Sequence, residues 1–337
     1  MIDFRSDTLT RPTPAMLDEM FKAEVGDDVF GEDPTVNELE KQVASLFGME
    51  AALFCASGTM ANQIAIKCHT RPGDEVICES MSHVYIYEGG GIAFNSACQV
   101  KPLAGSRGQI TAQQVQEAIN PNDVHKPVSR LVCIENTSNR GGGSIYEYAD
   151  LEEISKVCLD NNLMLHLDGA RLWNALVSRK ESPARYGKLF NSISVCFSKG
   201  LGAPVGSVLI GSSGFISNAR RVRKVLGGGM RQAGYLAAAC IYALRHHVDR
   251  LEQDHIHAKY LAAQLIKKDF VGKMLPVETN MIIFELHGRI TAASFVEKMA
   301  AHDIKCMAIS PTQVRMVTHL DIHPDMVEKT ASLIEHM

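Results

Sequence analysis

Leu163-Met164-Leu165-His166-Leu167-Asp168-Gly169-Ala170-Arg171 is the stretch that decides the fold. Leu163 to Leu167 has the length and apolar bias of a buried strand, and it stops at Asp168. An acid that closes a buried strand needs a partner. A protonated pyridine nitrogen is one such partner; capping of the next helix, or an internal pair with Arg171, is the plainer one. In an open parallel sheet, ligands gather at the carboxyl ends of strands. The other strand ends therefore decide between these readings.

Upstream, Val36 to Phe47 has helical spacing and stops at Gly48. Ala51 to Cys55 is an apolar run, followed by Ser57-Gly58-Thr59 and a helix through Ala61 to Cys68. Val76-Ile77-Cys78 and Arg130 to Ile134 read as strands, with a helix from Leu151 to Asn161 before the deciding strand. Downstream, Ser192 to Phe197 ends at Ser198-Lys199, and Val205 to Ile210 returns as a strand. Helices alternating with short apolar strands predict an α/β fold, a mostly parallel sheet covered on both faces. The first dozen residues read as extended, and the helix after Pro14 carries Met16, Met20 and Phe21 on one face. A long helical stretch from Met230 to Lys268, strands at Met281 to Leu286 and Val314 to Val317, and a terminal helix predict a smaller α+β domain. The expected division is a large domain of 14–245 and a small one of 1–13 with 246–337.

The 337 residues are 46% apolar and 21% charged, with a formal net charge of -4. That balance favours neither nucleic acid nor an anionic membrane as a partner. The N-terminus lacks a signal-peptide pattern, and no apolar run is long enough to span a bilayer. Nine cysteines without a Cys-x-x-Cys pair, and no histidines at zinc spacing, read as thiols in a reducing cytoplasm with no metal site.

Three strand ends carry chemistry. Ser57-Gly58-Thr59 opens a helix whose free amides and dipole suit a phosphate; simple capping by Ser57 or Thr59 is the alternative. Asp168 closes the second. Lys199, after Ser198 in the third, is a lysine at the end of an apolar strand, where desolvation favours attack on a carbonyl; a structural ion pair is the alternative. His83, after Val76-Ile77-Cys78, suits stacking on a ring or moving a proton, although a lone histidine is usually structural. Ala219-Arg220-Arg221-Val222-Arg223-Lys224 reads mostly as a solvated basic face. Gly227-Gly228-Gly229-Met230-Arg231-Gln232 suits a second phosphate contact, or plain close packing.

Together the motifs resemble those of the threonine aldolases, within the aspartate-aminotransferase-like (fold type I) pyridoxal-phosphate enzymes. The matching stretches are Arg5-Ser6-Asp7-Thr8-Leu9-Thr10, Gly26 to Pro34, Ser57-Gly58-Thr59-Met60, His166 to Arg171, Ser198-Lys199-Gly200-Leu201, Gly227 to Gln232 and Val317-Thr318-His319. They run in order over nearly the whole chain. The resemblance implies a seven-stranded sheet, pyridoxal 5′-phosphate held as a Schiff base on Lys199, and cleavage of L-threonine or L-allo-threonine to glycine and acetaldehyde. It implies that Asp168 pairs with the ring nitrogen and that His83 stacks on the ring. Ser57, Gly58, Thr59 and Ser198, with Lys224 and Arg231 from a neighbouring subunit, would surround the cofactor. Arg171 would touch the cofactor and, with Ser6 and Arg315, the substrate carboxylate. His125 matches a second histidine near the substrate hydroxyl, and His83 or His125 would take its proton. A homotetramer with sites at its dimer interface is implied. β-Elimination, racemisation or transamination, and a regulator without turnover, remain as alternatives. One departure is Ser138, where the family commonly has His after Glu-Asn-Thr; the following Gly141-Gly142-Gly143 reads as a flexible loop.

Overall fold

The computed structural model describes residues 1–337. Its strands are β1 (Ile2–Asp3), β2 (Ala51–Cys55), β3 (Glu75–Glu79), β4 (Gln99–Leu103), β5 (Ser129–Glu135), β6 (Met164–Gly169), β7 (Ser192–Cys196), β8 (Ser207–Gly211), β9 (Val271–Met274), β10 (Met281–Leu286), β11 (Ile304–Lys305), β12 (Met307–Ala308) and β13 (Gln313–Val317). Seven form the central sheet in the order β2-β8-β7-β6-β5-β3-β4. Only β8 runs against its neighbours; the remaining ladders are parallel. This is the mostly parallel, seven-stranded α/β sheet expected. A four-stranded antiparallel sheet, β12-β13-β10-β9, lies in the C-terminal third, and β1 pairs with β11.

The early helices are α1 (Pro14–Lys22), α2 (Pro34–Phe47), α3 (Gly58–His69) and α4 (His83–Ile86). Local chemistry fixes α2 at both ends. The Asp33 carboxylate accepts from the Thr35 and Val36 amides, Pro34 occupies the first turn, and Gly48 closes the helix at φ 62°. Val36, Leu39, Val43 and Phe47 are fully buried on one face, each worth about 1.5–3 kcal/mol of hydrophobic stabilisation.

Two apolar cores result. One joins α2, the central sheet and helices up to Leu251; the other joins Ile2 and Phe4 to residues between Ala258 and Ile334.

Several expectations change. Phe21 is 84% exposed, because five residues from the buried Met16 is well off that helix face. The stretch Met230 to Lys268 is two helices, Gly234–His246 and Leu251–Leu265. The N-terminal segment contains a 3-10 turn at Asp7–Leu9, capped by Ser6. Gly141, Gly142 and Gly143 are buried rather than a free loop; a Cβ on Gly141 would lie 1.9 Å from the Arg107 carbonyl oxygen. The basic helix turns Arg220 onto Glu40, and the buried Arg223 donates to Asp28 at 2.7 Å, so it is not simply a solvated face.

Candidate active site

Register brings the strand ends together. Cys55, Ser207 and Cys196 align across β2, β8 and β7. Ser194, Asp168 and Glu135 align across β7, β6 and β5. The turn into α3, the chain after β6 and the chain after β7 therefore leave the same edge of the sheet.

Asp168 is 2% exposed. Its Oδ2 accepts from Asn62 Nδ2 at 2.9 Å and its Oδ1 from the Ala170 amide at 3.1 Å. The Ala170 amide precedes the next helix, which begins at Leu172 and has no side-chain cap, so neither helix capping nor a pairing with Arg171 is realised. Asn62 Nδ2 also donates to Glu88 Oε1 at 2.9 Å, and Gln63 Nε2 donates to Glu88 Oε2 at 2.6 Å. His83 Nδ1 lies 2.9 Å from Glu88 Oε1. Burial would lower the His83 pKa, but the Glu88 hydrogen bond and the charges of Asp168, Glu88 and Glu135 outweigh it and raise the pKa. Burial and the charge of Asp168 push Glu135 up to about 7. Glu135 accepts from the His83 and Asn139 amides, both at 2.9 Å, so it pins the start of α4.

A second group collects around the N-terminal turn. Arg171 donates from Nε and Nη2 to the two oxygens of Asp7, at 2.7 and 2.6 Å, and both residues are buried. Burial alone would raise the Asp7 pKa, but the Arg171 guanidinium overrides it and holds the acid at about 2. Arg315 donates from Nη1 to Asn139 Oδ1 at 3.0 Å and from Nη2 to the Arg5 carbonyl at 3.1 Å. Its Nε is buried without a partner. Burial and the nearby Arg171 charge lower its pKa. Two guanidiniums sharing a buried space call for an anion. Ser6 precedes Asp7 and accepts from the Thr8 amide at 3.2 Å.

Lys199 is half-buried, and its carbonyl accepts from Thr10 Oγ1 at 2.7 Å; its ammonium has no partner within the chain. Ser198 is half-buried beside it. Ser57 Oγ accepts from the Met60 amide at 3.1 Å, which realises the capping alternative. The amides of Gly58 and Thr59, in the first turn of α3, stay unpaired. A Cβ on Gly58 would lie 2.7 Å from Cys196 Sγ, so only glycine lets the backbone lie this close to β7. Lys224 is exposed, and Arg231 pairs with Asp27 at 2.8 Å. A Cβ on Gly228, between them, would lie 2.4 Å from Met60 Sδ, so this loop borders the first turn of α3.

The chain does not bring His125 into this cluster. Its side chain is 87% exposed, bound to Asp123, and it precedes β5, on the opposite edge of the sheet from Asp168. Ser138 also turns away: its Oγ accepts from the Gly141 amide at 3.2 Å, beneath Gly108. Sequence reading missed Asn62, Glu88, Glu135 and Asn139 and gave Asp7 no role. None carries a local signal: Glu88 reaches His83 only because α4 is a single turn.

This donor set fits pyridoxal phosphate. The buried Asp168 carboxylate has only neutral donors, which suits a cationic ring nitrogen; the Lys199 amine is unengaged; free helix amides suit a phosphate. A model of the beta-eliminating lyase family matches residues 3–288. The low specificity L-threonine aldolase of Escherichia coli (strain K12) is 42% identical over 333 residues, 98% of each chain. The low-specificity L-threonine aldolase 1 of Arabidopsis thaliana is 39% identical, covering 99% of this chain and 95% of the other. A threonine aldolase structure from Leishmania major superposes with TM-score 0.87 over 100% of this chain and 99% of that one; at 22% identity this likeness speaks to fold.

Proposed function

The chain belongs to the low-specificity L-threonine aldolases of the beta-eliminating lyase family, and from that premise we propose that it cleaves both L-threonine and L-allo-threonine at the edge of the central sheet, with pyridoxal 5′-phosphate on Lys199. The protein is a pyridoxal-phosphate-dependent lyase that releases glycine and acetaldehyde. When bound, the cofactor supplies a conjugated ring that takes up the electrons of the Cα–Cβ bond. Asp168 would hold the ring nitrogen and His83 would lie on the ring. Gly58, Thr59, Ser57 and Ser198 would line the phosphate side.

Arg315, the Nη1 of Arg171 left outside the Asp7 fork, and Ser6 would grip the substrate carboxylate. That grip would fix the orientation of the substrate about Cα and so choose which of its bonds the cofactor could activate. His83, whose Nδ1 is engaged by Glu88, would take the β-hydroxyl proton at Nε2. His125 can reach a site only in another subunit. We propose a homotetramer in which Lys224 and Arg231 serve a neighbour's site, supported by exposed apolar side chains beside them: Val225 (84%), next to Lys224 in the chain, and Phe30 (74%), whose ring centroid lies 6.0 Å from the Arg231 guanidinium. The two apolar cores support a large domain of 14–245 and a small one of 1–13 with 246–337. Nine unpaired cysteines support a cytoplasmic location, and no helix is long and apolar enough to cross a membrane.

The observation that carries the site assignment is Asp168, a buried carboxylate whose hydrogen bonds all come from neutral donors. A coupled assay for acetaldehyde from L-threonine and L-allo-threonine tests the function. Acetaldehyde from both is expected, and Asp168→Ala should abolish it. Pyruvate or a racemised product without acetaldehyde would overturn the reading.

A further inference from the structure

Behind Asp168 runs a line of polar side chains that the reaction does not use. Strand residues two apart share a face, so His166 lies beside Asp168 on β6, and Ser192 beside Ser194 on β7. Register sets His166 against Ser192 and Asp168 against Ser194. Above them lies α3, where Asn62 and His69, seven residues apart, share a face. Asn62 and His166 are at most 1% exposed, and Ser192 and Ser194 are fully buried.

The proton directions follow from the ends. Asn62 Nδ2 faces two carboxylate oxygens, Asp168 Oδ2 and Glu88 Oε1, and must donate to both. Its Oδ1 must then accept, from Ser194 Oγ at 2.7 Å and from His166 Nε2 at 3.1 Å. Burial lowers the His166 pKa to about 3 and the His69 pKa to about 4, so both rings are neutral. With its proton on Nε2, His166 accepts at Nδ1 from Ser192 Oγ, 2.8 Å away. Ser192 Oγ in turn accepts from His69 Nε2 at 2.8 Å. The His69 ring is stacked on Phe215, centroids 4.5 Å apart and planes 13° apart. Every donor points the same way, toward the acids, and such chains polarise one another.

We propose that Asn62 is the positioning residue shared by the ring-nitrogen acid Asp168 and the histidine-orienting acid Glu88, held in that orientation by Ser194 and the one-way chain His69–Ser192–His166. The amide holds Asp168 in its aimed orientation and ties it to the carboxylate that fixes His83. This rests on the proposed function for what Asp168 meets, but the chain itself can be read without any cofactor.

The test has two arms. Nitrogen-15 spectra of the histidine-labelled full-length protein, with and without pyridoxal phosphate, read the tautomers. His166 and His69 should be neutral with the proton on Nε2 from pH 5 to 9; a proton on His166 Nδ1 reverses the chain and overturns the proposal. In the second arm, pyridoxal phosphate labelled at its ring nitrogen is bound to the parent, Asn62→Ala and Ser192→Ala. The parent should show a protonated ring nitrogen. Asn62→Ala should move that resonance toward the unprotonated position and weaken cofactor binding at least tenfold. Ser192→Ala, which touches neither acid, should give an intermediate shift and a two- to fivefold loss. Parent-like resonance and affinity in Asn62→Ala would overturn the proposal; should that variant not fold, parent-like values in Ser192→Ala would do so. A parent that holds no cofactor on Lys199 would sink the proposed function instead, and the histidine spectra would still decide the chain.

Discussion

Replacing Arg315 by lysine tests the substrate grip. Arg315 alternates with the buried Val314 and Met316 on β13 and turns to the opposite face. Two of its nitrogens are already committed, to Asn139 Oδ1 at 3.0 Å and to the Arg5 carbonyl at 3.1 Å. Those bonds set the plane of the guanidinium. The Nε remains buried without a partner, and the arginine fork lets one residue hold the protein on one side and a carboxylate on the other. A lysine head cannot do both. Loss of one charge-assisted hydrogen bond costs about 1.5–3 kcal/mol, roughly ten- to a hundredfold in kcat/KM. Steady-state acetaldehyde release should show KM rising and kcat falling together, because a loosened carboxylate lets the substrate turn about Cα. Cofactor absorbance should stay at the parent value, since Arg315 is assigned to substrate alone. If both constants stay within about twofold of the parent, as for a solvated surface charge, the assignment of Arg315 fails.

Asp7→Asn leaves the buried Arg171 charge uncompensated and should lower the unfolding free energy by about 3–5 kcal/mol in urea titrations; a loss under 1 kcal/mol would mean the pair is not holding the N-terminal turn. Because the folded Asp7 is held at about 2, below its usual 3.8, its stabilisation is complete above pH 4 and is lost as pH falls through 2; acid unfolding of Asp7→Asn should lack that component. Gly58→Ala forces a Cβ to 2.7 Å from Cys196 Sγ, so cofactor binding should weaken, with recovery in the Gly58→Ala/Cys196→Ala double variant; no recovery would place the strain elsewhere. Mixed Lys199→Ala and Arg231→Ala subunits should regain part of the activity, since a hybrid dimer has one site free of both defects, and an active monomer at assay concentration would refute the shared site.

The interior of the sheet was legible because its strands are apolar runs closed by punctuation: Ala51–Cys55 lies between Gly48 and Ser57-Gly58, and Met164–Gly169 ends on Asp168. The edge strand Gln99–Leu103 was not, because it is partly exposed and carries Gln99, Lys101 and Pro102. The residues quoted in the motifs also marked the strand ends correctly. What they could not reveal was the support behind them. Asn62 looks like any polar residue in a helix until β6 and β7 set two acids and a histidine around it, and Glu135 acquires its raised pKa from burial at the end of β5 and from sitting opposite Asp168. Phe21 and Arg223 were misjudged for a related reason: composition says what a helix carries, whereas the neighbouring elements decide which way each side chain faces. His125 shows the limit of a single chain, since its place on the far sheet edge gives it no contact with its own Lys199.

Borohydride reduction of the holoenzyme, followed by peptide mapping of the modified lysine, tests the central claim most directly. The account predicts a yellow protein in which reduction fixes one phosphopyridoxyl group per chain on Lys199, and a Lys199→Ala variant that binds pyridoxal phosphate weakly and takes up no label. Label on any other lysine of the parent protein, or none at all in a preparation that cleaves threonine, would contradict it.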